Sequence, residues 1–109
     1  MAIDEGLAQR VREQLGATPG LTEKRMFGGL AFLLGGHLAV GVHGDELIVR
    51  LSPDDTAEAL ARPGVRAFDM TGRPVRGWVL VAPTALAEDQ ALDDWIGQGL
   101  AFAATLPPK

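Results

Sequence analysis

Between Lys24 and Leu51 apolar side chains recur at every second position, and glycine-bearing breaks cut the run into strand-length pieces. A helix would scatter such residues around its circumference, so this alternation demands extended chain with one face turned to a core. Leu30, Phe32 and Leu34 mark one strand, and Gly35-Gly36 is a two-residue hairpin signal. Leu38, Val40 and Val42 form the inward face of the next strand, and Gly44-Asp45 turns the chain into Leu47, Val49 and Leu51. The pattern predicts a three-stranded antiparallel meander.

Helices flank it. Leu7, Val11 and Leu15 fall at four-residue spacing, with Asp4 placed to cap the start and Gly16 to end it. Ser52-Pro53-Asp54-Asp55 opens a second helix: a cap, a proline suited to the first helical position, and two acids at the positive end of the helix dipole. Ala57, Leu60 and Ala61 are expected to form its apolar side, and Pro63-Gly64 its stop. Val65 to Met70 and Val75 to Val81 read as two further strands around a turn at Thr71-Gly72-Arg73-Pro74. Thr84 is expected to cap a last helix with Leu92, Trp95, Ile96, Leu100 and Ala103 in its buried stripe. The order α-β-β-β-α-β-β-α predicts an α+β fold, a two-layer α/β sandwich with a mostly antiparallel five-stranded sheet.

A chain of 109 residues suffices for one core and falls short of two, so residues 1–109 are expected to form a single domain. The absence of cysteine excludes disulfide scaffolds, thiolate metal sites and cysteine nucleophiles. Ten Lys and Arg against 14 Asp and Glu leave a net charge of −4, which speaks against a generally basic nucleic-acid binder. Met1 to Glu5 has neither the basic nor the apolar segment of a signal peptide. The longest near-apolar run, Leu30 to Leu38, is too short to span a membrane. A cytoplasmic protein without a membrane partner is the expectation.

Residues that could carry chemistry are few. Alternation puts His37 and His43 together on the face opposite Leu38, Val40 and Val42, roughly 20 Å apart along one strand, too far to share a metal. No metal and no cofactor is expected. Gly28-Gly29 and Gly35-Gly36 lie within and between strands rather than ahead of a helix, so they read as a bulge and a tight hairpin, not a phosphate loop. Met26 and Phe27, an apolar pair entering a strand ahead of glycines, are expected to plug the core. Ser52, the one serine, stands where a cap stands and not on a nucleophile's sharp turn. The pairs Asp54/Asp55, Glu88/Asp89 and Asp93/Asp94 diverge around helices instead of converging as acid and base. These residues predict no enzyme.

Two surface features point to binding. Arg62, Arg66, Arg73 and Arg76 face only Asp69 within residues 62–76, while the last helix carries Glu88, Asp89, Asp93 and Asp94 with no cation. Arginines in such a group suit an anionic partner or pairing with the acidic helix; a solvated, charge-protected edge hairpin is the alternative. Ile48, Trp78 and Leu80 lie out of phase with Val49, Val79 and Val81, so both faces of these strands carry apolar groups. Either a partner or a second copy covers the outer face, with Trp78 as its anchor, or a helix of the chain does.

The run Lys24-Arg25-Met26-Phe27-Gly28-Gly29-Leu30-Ala31-Phe32, with Gly36-His37-Leu38-Ala39-Val40-Gly41-Val42 and Asp45-Glu46-Leu47-Ile48-Val49-Arg50, resembles the N-terminal domain of the TfoX/Sxy family. Phe68-Asp69-Met70-Thr71-Gly72-Arg73-Pro74, Gly77-Trp78-Val79, Trp95-Ile96 and Gly99-Leu100-Ala101-Phe102 agree with it, so that the likeness covers residues 5–106. The resemblance implies a small α/β sandwich with an antiparallel sheet. It also implies a bacterial regulator: better-known members act in natural competence with the cyclic-AMP receptor protein at promoters. Those members carry a second, C-terminal helical domain, and this chain resembles a standalone N-terminal domain. The family brings no catalytic residues. Two functional classes follow. One is a non-enzymatic interaction module in transcription regulation, binding a protein or itself and not gripping duplex DNA tightly. The alternative is a small-molecule or nucleic-acid binder using the Arg62–Arg76 segment.

Overall fold

The Asp4 carboxylate accepts the Leu7 amide at 3.1 Å, and Gly16, at φ 56°, closes the helix that Asp4 opens, α1 (Glu5–Leu15). Residues 3–26, 28–69 and 74–107 are described by the computed structural model, the side chains of Met26, Pro74, Val75 and Arg76 excepted. Phe27, Arg73 and the rest of the expected turn at 71–73 lie outside the described residues, and so does the plugging role expected of Met26 and Phe27.

Four strands follow α1: β1 (Leu21–Met26), β2 (Gly29–Leu34), β3 (His37–His43) and β4 (Glu46–Arg50). Ser52 then caps α2 (Pro53–Leu60) by accepting the Asp54 amide at 3.3 Å. β5 (Val65–Asp69), β6 (Pro74–Val81), a 3-10 turn at Pro83–Ala85 and α3 (Asp89–Ala104) complete the fold. The sheet is antiparallel throughout, in the order β1-β2-β3-β4-β6-β5. It has six strands, not five. The additional strand is β1, where Thr22 to Arg25 are all exposed and no apolar alternation announces a core face.

The helices lie on one side of the sheet. There Leu7, Val11 and Leu15 of α1 and Leu92, Trp95 and Ile96 of α3 pack on Leu30, Phe32, Val40, Val42, Leu47, Val49, Val79 and Val81. Two helical expectations are corrected. α2 buries Ala59, while Ala57, Leu60 and Ala61 turn outward, Leu60 with 38% of its surface exposed. An eight-residue helix beside β6 buries only a narrow strip of its surface, and Ala59 is the residue it sends into the helix-side core. Thr84 sits inside the 3-10 turn and does not cap α3, which begins at Asp89.

The inward face of β3 is corrected too. Leu33 pairs with Leu38 but Phe32 pairs with Val40, so Ala39 is an extra residue in β3. Such a bulge reverses the alternation on one side of it. Leu38 therefore joins the outer face with Ala31, Ile48, Phe68 and Leu80, and His37 swings to the helix side, where Nε2 lies 2.6 Å from the Pro107 carbonyl oxygen. His43 stays on the outer face against Phe68. The two histidines stand on opposite faces, not on one.

Candidate functional site

The arginines expected to form one patch are divided between layers. Arg62, just past α2, lays its guanidinium 4.3 Å from the centre of the Trp95 ring on the helix side. Arg66 of β5 is on the other face, paired in two-pronged fashion with Glu46 of β4 at 2.6 and 3.2 Å. Arg73 lies outside the described residues, and so does the side chain of Arg76. Arg62 and Arg66 are thus not brought together.

Ile48, Trp78 and Leu80 do share the outer face, as their phase requires, but two of them are not available to a partner. Ile48 is 2% exposed and Leu80 3%, packed with Ala31, Leu38 and Phe68 in a second apolar cluster. No helix among the described residues supplies this cover. Phe68 stacks on Trp78 with ring centres 5.6 Å apart and meets the edge of His43 at 6.3 Å. In a flat sheet the strands carrying Phe68 and His43 would stand about 14 Å apart, three strand spacings, so the sheet curls and its rings lean inward. The bulge at Ala39 and the broken register between β5 and β6 supply the bend.

Trp78 is half-buried and continues into a row that leaves this face. The Arg50 guanidinium lies 5.5 Å from the Trp78 ring and 5.2 Å from the ring of Phe102 on α3. Arg50 thereby clamps the open end of the sheet to the last helix. Nothing in the strand pattern around Leu47, Val49 and Leu51 signals this role; it needs the end of β4 and the C-terminal half of α3 to meet in space.

A concavity lies elsewhere, between α2 and α3. Two adjoining hollows of about 240 and 300 Å³ share Asp55 and Gln98. One continues past Glu58 to Arg62, the other over Leu51, Ala101 and Phe102 to Thr105. Asp55 and Glu58 take part in none of the ion pairs among the described residues. Two arginines elsewhere on the helix side are paired: Arg10 donates to the Leu86 carbonyl at 2.7 Å and to Asp89 at 3.1 Å, and Arg12 holds Glu23 of β1 through two bonds of 2.9 and 3.0 Å. Those hydrogen bonds from the Arg12 guanidinium hold the Glu23 carboxyl below its ordinary value, and the carboxylate raises Arg12 in turn. Among the described residues no cluster of three His, Asp or Glu side chains converges as a metal site would require.

Fold and sequence meet in one comparison: residues 13–103 match the TfoX N-terminal domain. The chain belongs to the TfoX N-terminal domain family. No curated protein and no solved structure matches it. The family match runs from the last turn of α1 to one residue short of the end of α3, so every strand of the sheet and the groove lining except Thr105 fall within the TfoX N-terminal domain. No helix among the described residues is long and apolar enough to cross a membrane.

Proposed function

We propose that this TfoX N-terminal domain is a non-enzymatic protein-interaction module that acts in regulation, in the manner of the competence regulators it resembles, through a protein partner. The family match over residues 13–103 carries this reading. The distribution of charge supports it. Binding to duplex DNA draws most of its affinity from Lys and Arg neutralising successive phosphates along one surface. Here Arg10, Arg12 and Arg66 are each committed to a carboxylate, Arg50 and Arg62 lie on aromatic rings, and Arg62 and Arg66 point from opposite layers. Helix α3, meanwhile, presents Asp89, Asp93 and Asp94 to solvent.

Affinity capture with the tagged chain from a bacterial extract, with and without nuclease, tests the proposal. A partner retained in stoichiometric amount after nuclease treatment is the expected result. A mixed-sequence duplex should show no mobility shift at micromolar protein in salt of about 150 mM. A clear shift that disappears in Arg62→Ala/Arg66→Ala would replace this reading with nucleic-acid binding by the arginine segment.

A further inference from the structure

We infer that the α2–α3 groove is a docking site for a short partner segment in which a Lys or Arg stands beside an apolar residue. The inference rests on the protein-partner reading above and adds the surface and the chemistry of what it receives. Its two halves differ in character. Toward Thr105 the groove is floored by Leu51, Ala101 and the half-buried ring of Phe102, where an apolar side chain loses its contact with water. Toward Arg62 its α2 wall carries Asp55 and Glu58, exposed and without ion-pair partners among the described residues. Asp54, also exposed, adds a third carboxylate at the same helix start.

Asp54 and Asp55 have a local task at the positive end of α2, but Glu58 lies beyond the first turn, where the helix dipole offers it little. Of the two arginines beside the groove, Arg62 lays its guanidinium on Trp95 and Arg50 sets its own between Phe102 and Trp78. Excess negative charge therefore stands on the rim of a partly apolar groove, and a cation beside an apolar side chain is its complement.

The probe is the capped pentapeptide Gly-Leu-Arg-Leu-Gly, titrated into the 15N-labelled full chain at low salt beside its charge-reversed counterpart Gly-Leu-Glu-Leu-Gly. The Arg peptide should move the amides of Asp55, Glu58, Gln98 and Ala101, leave those of Asp89 and Asp93 in place, and bind at least tenfold more weakly to Asp55→Asn/Glu58→Gln. Glu58→Gln alone, away from the helix start, gives the same direction should the double variant melt early. Equal response to the Glu peptide, shifts spread over every acidic surface, or unchanged affinity in the variants would overturn the groove. A partner captured from extract equally well by wild type and Asp55→Asn/Glu58→Gln would remove this site while leaving the interaction module standing.

Discussion

On the helix side of the sheet, the buried strand residues share one core with side chains from another layer: Trp95, Leu92 and Ile96 come from α3, Leu7 and Val11 from α1. On the outer side the strands cover themselves. Ile48 and Leu80 are as dry as much of the helix-side core, yet their cover is the curl of the sheet and the rings of Phe68 and Trp78. The first kind of burial follows from amphipathic periodicity, which fixes which face meets which. The second follows from bulges that bend strands, and depends on a few large rings staying where they are. The difference bears on function: an outer face that closes on itself offers little apolar surface, which moves the search for a partner to the helices.

The two tryptophans probe the two regimes, and the largest effect belongs to the helix side. Trp95 is 1% exposed, and Trp95→Ala should cost about 3–5 kcal/mol in a urea melt. Leu80→Ala in the outer cluster should cost about 2–4 kcal/mol, as a filled core position does. A loss below about 1 kcal/mol would mean that the outer cluster is a loosely covered surface, and would restore Ile48, Trp78 and Leu80 as a binding face.

Close approach between layers gives a sharper test, because α3 packs on β3 through a glycine. A methyl group built on Gly99 runs into the Ala39 carbonyl and comes within 2.8 Å of Val40 Cγ1, at the bulge itself. Gly97, two residues earlier, faces open space. Gly99→Ala should therefore destabilise by about 1–3 kcal/mol through overpacking. Gly97→Ala should stabilise by roughly 0.5–1 kcal/mol by removing backbone freedom from the unfolded chain. Equal melting of the two variants would show that α3 can ride outward at no cost, and that the bulge does not set its height.

What could be read in advance divides along the same line. Asp4, Gly16, Ser52 and Pro53 act on the backbone within one turn of themselves, so both early helices begin where those residues place them. The stripe from Leu92 to Ala103 is long enough for its period to be plain. β1 is hidden because a strand exposed on both faces alternates nothing; only its ladder to β2 makes it one. The face of Leu38 is hidden because period two assumes that no residue is left unpaired, and Ala39 is. At the candidate site Asp55 and Glu58 are visible as charges, but that they line a groove with Gln98 and Phe102 depends on α2 and α3 lying side by side 40 residues apart in the chain.

The smallest effect concerns the edge strand β1, which meets the helix-side core only through half-buried Leu21. β1 is held by its backbone ladder to β2 and by the Arg12–Glu23 pair, in which the side chains keep 39% and 40% of their surface exposed, so screening keeps the contribution small. Glu23 is held below its ordinary carboxyl value in the folded chain, first by the hydrogen bond from Arg12. A carboxyl depressed on folding lends stability that is fully present above its unfolded value, about 4.3 for glutamate, and is lost as pH falls through the folded value. The stability gap between wild type and Glu23→Gln should then be constant from neutral pH to about pH 5, narrow below that, and close once the folded carboxyl is protonated. Added salt should shrink the gap at neutral pH. A gap that persists unchanged into acid would mean that Glu23 supports β1 by packing its side-chain stem, adding to the contact that Leu21 makes with the helix-side core.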